Sequence, residues 1–414
     1  MEASRDRQDL PALTGLRGVA AGLVVVGHFW AALRPTIVDS FWLWPFPPIG
    51  MAIFFTLSGY VIALSYGRWD WRARPLFNLC RLALYRFARL YPAFLLFAIV
   101  ILLRNPPLRT PSTPEALTYV VDHLLLLQSW WPAKYDGQLV TGDLFSLSWS
   151  LSTEWALYLL FGLGAVLTAR WHLHWVAKAV FFFALLSLLL VELWEDGRTH
   201  LAPAGWSGDD WKSWLFHISP LGVVMLFALG VASYRASLGL SDKAKRVASN
   251  AGALVLVGLY LALIVDLLRW SYGAALCIGL ALALFMAGAS ARSLPNWLLS
   301  RSGIVYAGTV SYSLYLFHPF VAPIFQAGAF TQIDSWWVVN FATAVAVALM
   351  LATGIYAVVE EPGRRILRNA ADRLLRIGRP AASTAARASE GSISSSSSIE
   401  RTAPRSAERR SKTA

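Results

Sequence analysis

Residues Ala12–Leu33 read ALTGLRGVAAGLVVVGHFWAAL, an apolar and small-residue stretch interrupted by one arginine, Arg17, and one histidine, His28. An apolar run of about 18 or more residues is long enough to cross a hydrocarbon core of about 30 Å as a helix. A helix also satisfies its own backbone polar groups where no water reaches them. Similar blocks recur along the chain, and we read ten: Ala12–Leu33, Ile49–Tyr66, Tyr85–Leu103, Leu144–Leu167, Trp175–Trp194, Phe216–Tyr234, Ala248–Val265, Trp270–Ala289, Val305–Phe325 and Trp336–Val359. Composition agrees, with 57% of residues hydrophobic and only 14% charged, where a soluble domain carries about a quarter. The expected fold is an all-α, polytopic transmembrane bundle of about ten helices.

The formal charge of +12 raises nucleic-acid binding. The basic residues, however, lie between apolar blocks and in the C-terminal tail, so no nucleic-acid partner is expected. With the N-terminus inside, the internal ends and loops before the tail carry 16 Lys and Arg, the tail after Pro362 carries 12, and the five external loops carry seven. This asymmetry places both termini in the cytoplasm of an inner-membrane protein. The polar stretch 1–11 is read as a cytoplasmic N-terminus and the block after it as a retained helix, since no small-residue cleavage pattern follows. Residues 12–362 form the transmembrane domain. Residues 363–414 form a basic tail that turns into Ala, Ser and Arg from about Pro380 and is expected to be disordered. Its charges either rest on anionic membrane lipids or are simply solvated. Cys80 and Cys277 are the only cysteines and build neither a disulfide framework nor a metal cluster.

An ionisable group at membrane depth costs several kcal/mol unless it is paired or hydrated, so each one is a candidate for function. Arg17 and His28 are eleven residues apart, about three full turns, which puts both on one helix face about 16 Å apart along the axis. The pair suits a long anionic molecule that enters from the cytoplasm with its reactive end at His28. Alternatively, Arg17 snorkels to the headgroups and His28 caps a neighbouring helix. Glu154 falls near mid-membrane and needs donors; it is read as a buried partner of Arg17, or else as shaping a reaction site. His318 lies near the level of His28 and either faces the same cavity or is satisfied by a backbone carbonyl. Arg86 and Arg89 share a helix face at i and i+3, in a geometry that suits phosphates but also follows from positive-inside topology alone. Glu360 and Glu361 run against the basic trend and are read as a structural clamp onto an arginine such as Arg86 or Arg89.

Taken together, these motifs resemble the acyltransferase 3 family of integral membrane acyltransferases. The resemblance rests on Arg17 and His28 with ten residues between them, on Phe54-Phe55-Thr56-Leu57-Ser58-Gly59-Tyr60-Val61, and on Arg86-Phe87-Ala88-Arg89-Leu90-Tyr91-Pro92. It continues in Trp149-Ser150-Leu151-Ser152-Thr153-Glu154, in Tyr312-Ser313-Leu314-Tyr315-Leu316-Phe317-His318, and in Glu360-Glu361-Pro362. The order of these motifs over roughly Leu10 to Pro362 is more specific than any one of them.

The resemblance implies a ten-helix core that takes acyl-CoA, commonly acetyl-CoA, from the cytoplasm and modifies a glycan, a lipid-linked sugar or a small hydroxylated acceptor. It makes His28 the catalytic histidine, assigns Arg17, Arg86 and Arg89 to the acyl donor, and gives Glu154, Tyr315 and His318 supporting or acceptor-side roles. No metal is expected. His28 acts either as a general base or through an acyl-histidine. The rival class is a transporter or flippase, which discontinuous helices in matched halves would favour.

Overall fold

The computed structural model describes residues 10–33, 43–105, 113–135, 138–139, 145–168, 206–326 and 337–377. The expected segment Trp175–Trp194, the N-terminal residues 1–9 and the tail from 378 lie outside the described residues. The chain divides into two units, Met1–Arg368 and Asn369–Ala414. The second is described only over the last residues of the helix Glu361–Ile377. Apart from an antiparallel pair of two-residue strands, Lys134–Tyr135 and Gln138–Leu139, the regular elements among the described residues are helices. Seven helices among them are long and apolar enough to cross a membrane, with a shorter apolar helix at Tyr272–Ala287.

The first helices are α1 (Pro11–Leu33), α2 (Phe46–Tyr66), α3 (Pro75–Arg104), α4 (Pro114–Leu124) and α5 (Trp149–Thr168). Proline near the start of α2, α3 and α4 supplies the φ a helix needs at a position whose N–H has no intrahelical partner. Hydroxyl caps do the complementary work. Thr113, Ser219, Ser241, Ser271 and Ser293 each accept from the backbone N–H three residues on, at 3.1 to 3.4 Å. These caps begin Asp242–Ile264 six residues before the expected block. The proline start extends α3 ten residues before the expected Tyr85, so Arg86 and Arg89 sit well inside a 30-residue helix.

One expectation is corrected outright. Val305–Phe325 is not one continuous helix but a broken chain of short helices, Ser302–Thr309, Ser311–Phe317 and Ala322–Gln326, with a 3-10 turn at His318–Phe320. Pro319 has no N–H to continue the ladder, and its ring opposes a regular turn. The last span continues beyond its expected end: Trp337–Ile355 passes through a π turn at Tyr356–Glu360 into Glu361–Ile377.

Helix packing depends on small residues. A Cβ on Gly230 would lie 1.8 Å from the carbonyl oxygen of Thr56, and one on Gly59 would lie 1.9 Å from that of Phe227. This reciprocal pair lets α2 and Pro220–Ser237 approach backbone to backbone, as lipid-embedded helices do where small residues face each other. Gly308 meets Thr14 of α1 as closely, at 1.8 Å. α1 is thereby wedged among α2, Ser302–Thr309 and Trp337–Ile355, with Ala20, Ala21 and Phe29 fully buried. Replacing Gly230 with Leu is expected to destabilise the fold by about 1–3 kcal/mol or more, seen as a sharp loss of monodisperse detergent-extracted protein. Gly258→Leu, where a Cβ meets open space, leaves that yield unchanged.

Candidate active site

Polar side chains inside the bundle are held by one another. The stretch after α4 turns back inward, with Leu126 at a φ of 57°, and delivers Gln128 and Ser129 to the start of α5. Gln128 donates to Ser148 Oγ at 2.9 Å, Ser129 to Ser152 Oγ at 2.8 Å, and Thr153 to the carbonyl of Ile218 at 2.5 Å. All five side chains are buried, and pairing removes most of the cost of burying them. α5 thus enters at a defined rotation, which places Ser150 and Glu154 toward α1 and α2.

Glu154 is not the ion-pair partner of Arg17. Its carboxylate accepts from the hydroxyls of Ser58 on α2 and of Tyr158 one turn along α5. Among the described residues, no ion pair within 4 Å joins Glu154 to an arginine. Glu154 and Arg17 nonetheless share a cavity of about 60 Å³, together with Arg89, Ser58, Tyr312 and Tyr315. Two guanidiniums and one hydroxyl-held carboxylate therefore face the same small space.

The two arginines of the α3 motif have separate environments. Arg89 faces the cavity with Arg17. Arg86 is 4% exposed and lies between two tyrosine rings, its Cζ 4.9 Å from the centroid of Tyr66 and 4.6 Å from that of Tyr158. Its Nε has no hydrogen-bond partner. A paired, phosphate-facing fork of Arg86 and Arg89 is not what the fold builds, because the aromatic faces take one guanidinium. Nor do the acidic residues clamp either of them. Glu360 accepts from Ser313 Oγ at 2.5 Å. Glu361 pairs with Arg364 at 2.5 Å and Arg365 at 2.6 Å. The helix continues through the π turn, and Glu361 lies within reach of Arg364 and Arg365 at i+3 and i+4 on the same face.

His28 lines a second and larger cavity of about 340 Å³, with Trp149, Phe216, His217, Trp270 and Tyr272 among its walls. Arg17 and His28 thus line neighbouring cavities. Met51, Phe55 and Tyr315 belong to both and form the partition. His318, 1% exposed, meets His28 directly: His28 Nδ1 lies 2.8 Å from His318 Nε2. The ring planes differ by only 23° and the centroids are 5.1 Å apart, close to the N···N distance plus two ring radii. The contact is therefore an in-line hydrogen bond, not a face-to-face stack. On its other side, His318 Nδ1 lies 2.9 Å from the backbone carbonyl of Tyr315 and 3.3 Å from that of Leu314. Of the two sequence readings of His318, the structure shows the carbonyl contact; His318 lies behind His28 and is not among the residues lining the larger cavity.

This is the geometry with which known proteins can be compared. The family model described as an acyltransferase domain matches residues 10–355. The chain belongs to that acyltransferase family. It is also similar to acyltransferase MdmB from Streptomyces mycarofaciens, at 34% identity over 171 residues. That match spans 37% of this chain and 38% of the relative, well under half of each. No solved structure matches.

In this acyltransferase-family chain, the sequence set Glu154 with Arg17 and His318 near the level of His28, but it kept Arg89 with Arg86 at the donor's entry and did not foresee Arg89 in the cavity of Arg17 and Glu154. It gave no role to Ser58, Tyr158 or His217. The four-residue spacing of Glu154 and Tyr158 was the available signal for one of them. The distinct settings of the α3 arginines separate in experiment. Arg86→Lys loses the planar stacking between Tyr66 and Tyr158, and the melting temperature in detergent is expected to fall by several degrees, for a loss of about 1–2 kcal/mol. Arg89→Lys leaves it within error.

Proposed function

We propose that the protein is a membrane O-acyltransferase. In this reading it moves an acyl group, acetyl by preference, from cytoplasmic acyl-CoA to a hydroxyl of a glycan, lipid-linked sugar or small hydroxylated acceptor. The observation that carries the reading is the imidazole of His28 lining a cavity of about 340 Å³ that abuts a second cavity holding two guanidiniums. Family membership supports acyl transfer, and the lopsided distribution of Lys and Arg supports an inner-membrane protein with both termini in the cytoplasm.

The residues divide the work by charge and by space. Arg17 and Arg89 attract the anionic donor with charge-assisted donors in a desolvated setting. The smaller cavity has room for about two waters, so a thioester arm reaches His28 only when the partition of Met51, Phe55 and Tyr315 gives way. Met51 is the adaptable member, with an unbranched side chain and three rotatable bonds. In the larger cavity, indole and phenyl faces bound the space in which the acceptor hydroxyl would approach His28.

His28 then acts as general base. It takes the hydroxyl proton as the acceptor oxygen attacks the thioester carbonyl. The new C–O bond forms, the C–S bond breaks, and the imidazolium returns its proton to the departing thiolate. The products are an ester and free CoA, with every proton accounted for.

With labelled acetyl-CoA and membranes containing the protein, His28→Ala is expected to lower CoA release and label transfer roughly 10²–10⁴-fold at unchanged expression. A variant that keeps wild-type turnover removes His28 from the chemistry. The partition has its own test. Met51→Trp is expected to slow transfer about tenfold or more by blocking alignment of donor and base, while Met51→Ala retains it. Equal rates in both variants would place the donor's route elsewhere.

A further inference from the structure

The chemistry assigned to His28 needs a lone pair on the nitrogen that faces the acceptor, and a neutral imidazole carries its proton on either of two nitrogens. Which one is decided by what the other nitrogen meets. At His28 that partner is another histidine, so the assignment must be traced one step further along the chain of hydrogen bonds.

It ends at a backbone carbonyl. In a regular helix the carbonyl of Tyr315 would accept from the N–H of residue 319, four positions on. Residue 319 is proline and has no N–H. The preceding bond is still made, since the backbone N–H of His318 reaches the carbonyl of Leu314. The Tyr315 carbonyl is left without its helical donor, and His318 Nδ1 lies 2.9 Å from it. The residue bearing that carbonyl is itself anchored, its phenolic oxygen 2.8 Å from Ser150 Oγ and 3.2 Å from the carbonyl of Leu147. The ring of Phe29 packs against His318 at 5.9 Å between centroids, which limits its rotation.

A carbonyl oxygen can only accept, so His318 Nδ1 carries a hydrogen. In the neutral ring the opposite nitrogen, Nε2, is then an acceptor. Nε2 faces His28 Nδ1 at 2.8 Å, so His28 Nδ1 donates. That leaves the lone pair on His28 Nε2.

We propose, on the acyltransfer reading above, that His318 is a positioning residue: a two-histidine relay anchored on the Pro319-freed carbonyl of Tyr315 holds His28 in the tautomer whose Nε2 is the base. His318 does not bind the acceptor. It acts through His28, as the third member of a catalytic triad orients its imidazole, but with a neutral imidazole in place of a carboxylate. When His28 Nε2 takes the acceptor proton, its Nδ1–H bond to His318 becomes charge-assisted and shortens. The relay therefore also stabilises the imidazolium formed in the transition state.

Two variants and one spectrum test this. His318→Phe fills the space but offers no acceptor, while His318→Gln places an amide oxygen where Nε2 lies. The relay predicts that His318→Phe lowers kcat roughly 10²–10⁴-fold, the scale of a wrong-tautomer defect, with KM for donor and acceptor unchanged. His318→Gln is expected to recover activity to within about tenfold of wild type. A kcat within about threefold of wild type in His318→Phe overturns the proposal. So does a defect that lies in acceptor KM alone, or a His318→Gln variant as inactive as His318→Phe.

The spectrum needs neither folding of a variant at position 318 nor any substrate. In protein labelled with 15N-histidine, the signal that disappears in His28→Ala reports the resting state of His28. It is expected to show a protonated Nδ1 and a bare Nε2; the opposite pattern overturns the relay. If wild-type membranes transfer no acyl group, or His28→Ala matches wild type, the acyltransfer reading falls, whereas a tautomer result stands or fails independently of activity.

Discussion

A 2.8 Å hydrogen bond between two imidazoles joins α1 to a segment 290 residues further along the chain, and the proposed chemistry depends on it. An imidazole is too polar to be left without partners inside a bundle, since each unmet donor or acceptor costs about 1–3 kcal/mol. His28 therefore requires His318, and His318 requires a free carbonyl. Here a break in the helix at Pro319 leaves that carbonyl without its backbone donor. The His318-Pro319 dipeptide supplies both the ring and the break. The interrupted helix thus holds a satisfied histidine beside α1.

The same logic of forced pairing organises the other polar groups. Glu154 is held by two hydroxyls instead of a counter-ion, which leaves Arg17 and Arg89 with their guanidiniums facing the small cavity. Arg86, by contrast, lies between Tyr66 and Tyr158. Two arginines three residues apart in one helix thus differ in kind: one lines a cavity and the other is packed between aromatic faces. The Glu360-Glu361-Pro362 signature divides in a similar way, one carboxylate turning inward to Ser313 and the other pairing along the helix with Arg364 and Arg365.

Small residues make these contacts possible. The paired glycines at positions 59 and 230, and Gly308 against Thr14, let backbones meet where any side chain would hold them apart. Close approach sets the rotation of α2 against Pro220–Ser237 and of α1 against Ser302–Thr309. Rotation decides whether Ser58 reaches Glu154, and whether His28 looks inward. Packing and chemistry are consequently coupled in the same few helices.

Hydropathy alone determined that α1, α2, α3, α5, Asp242–Ile264 and Trp337–Ile355 are membrane-length helices, because a span announces itself by length and apolarity. Their place inside apolar blocks marks Arg17, His28, Glu154 and His318, because such residues are rare where burial is costly. Partnership was another matter. Spacing along one helix says which residues share a face, but it carries no information on which face of another helix, hundreds of residues away, will meet it. That His28 bonds His318, that Glu154 bonds Ser58 and Tyr158 and not Arg17, and that Met51, Phe55 and Tyr315 stand between two cavities were decided only by the tertiary structure. The physical reason is that hydrogen bonds reach about 3 Å, a range over which the packing of helices, not the order of residues, selects the partner.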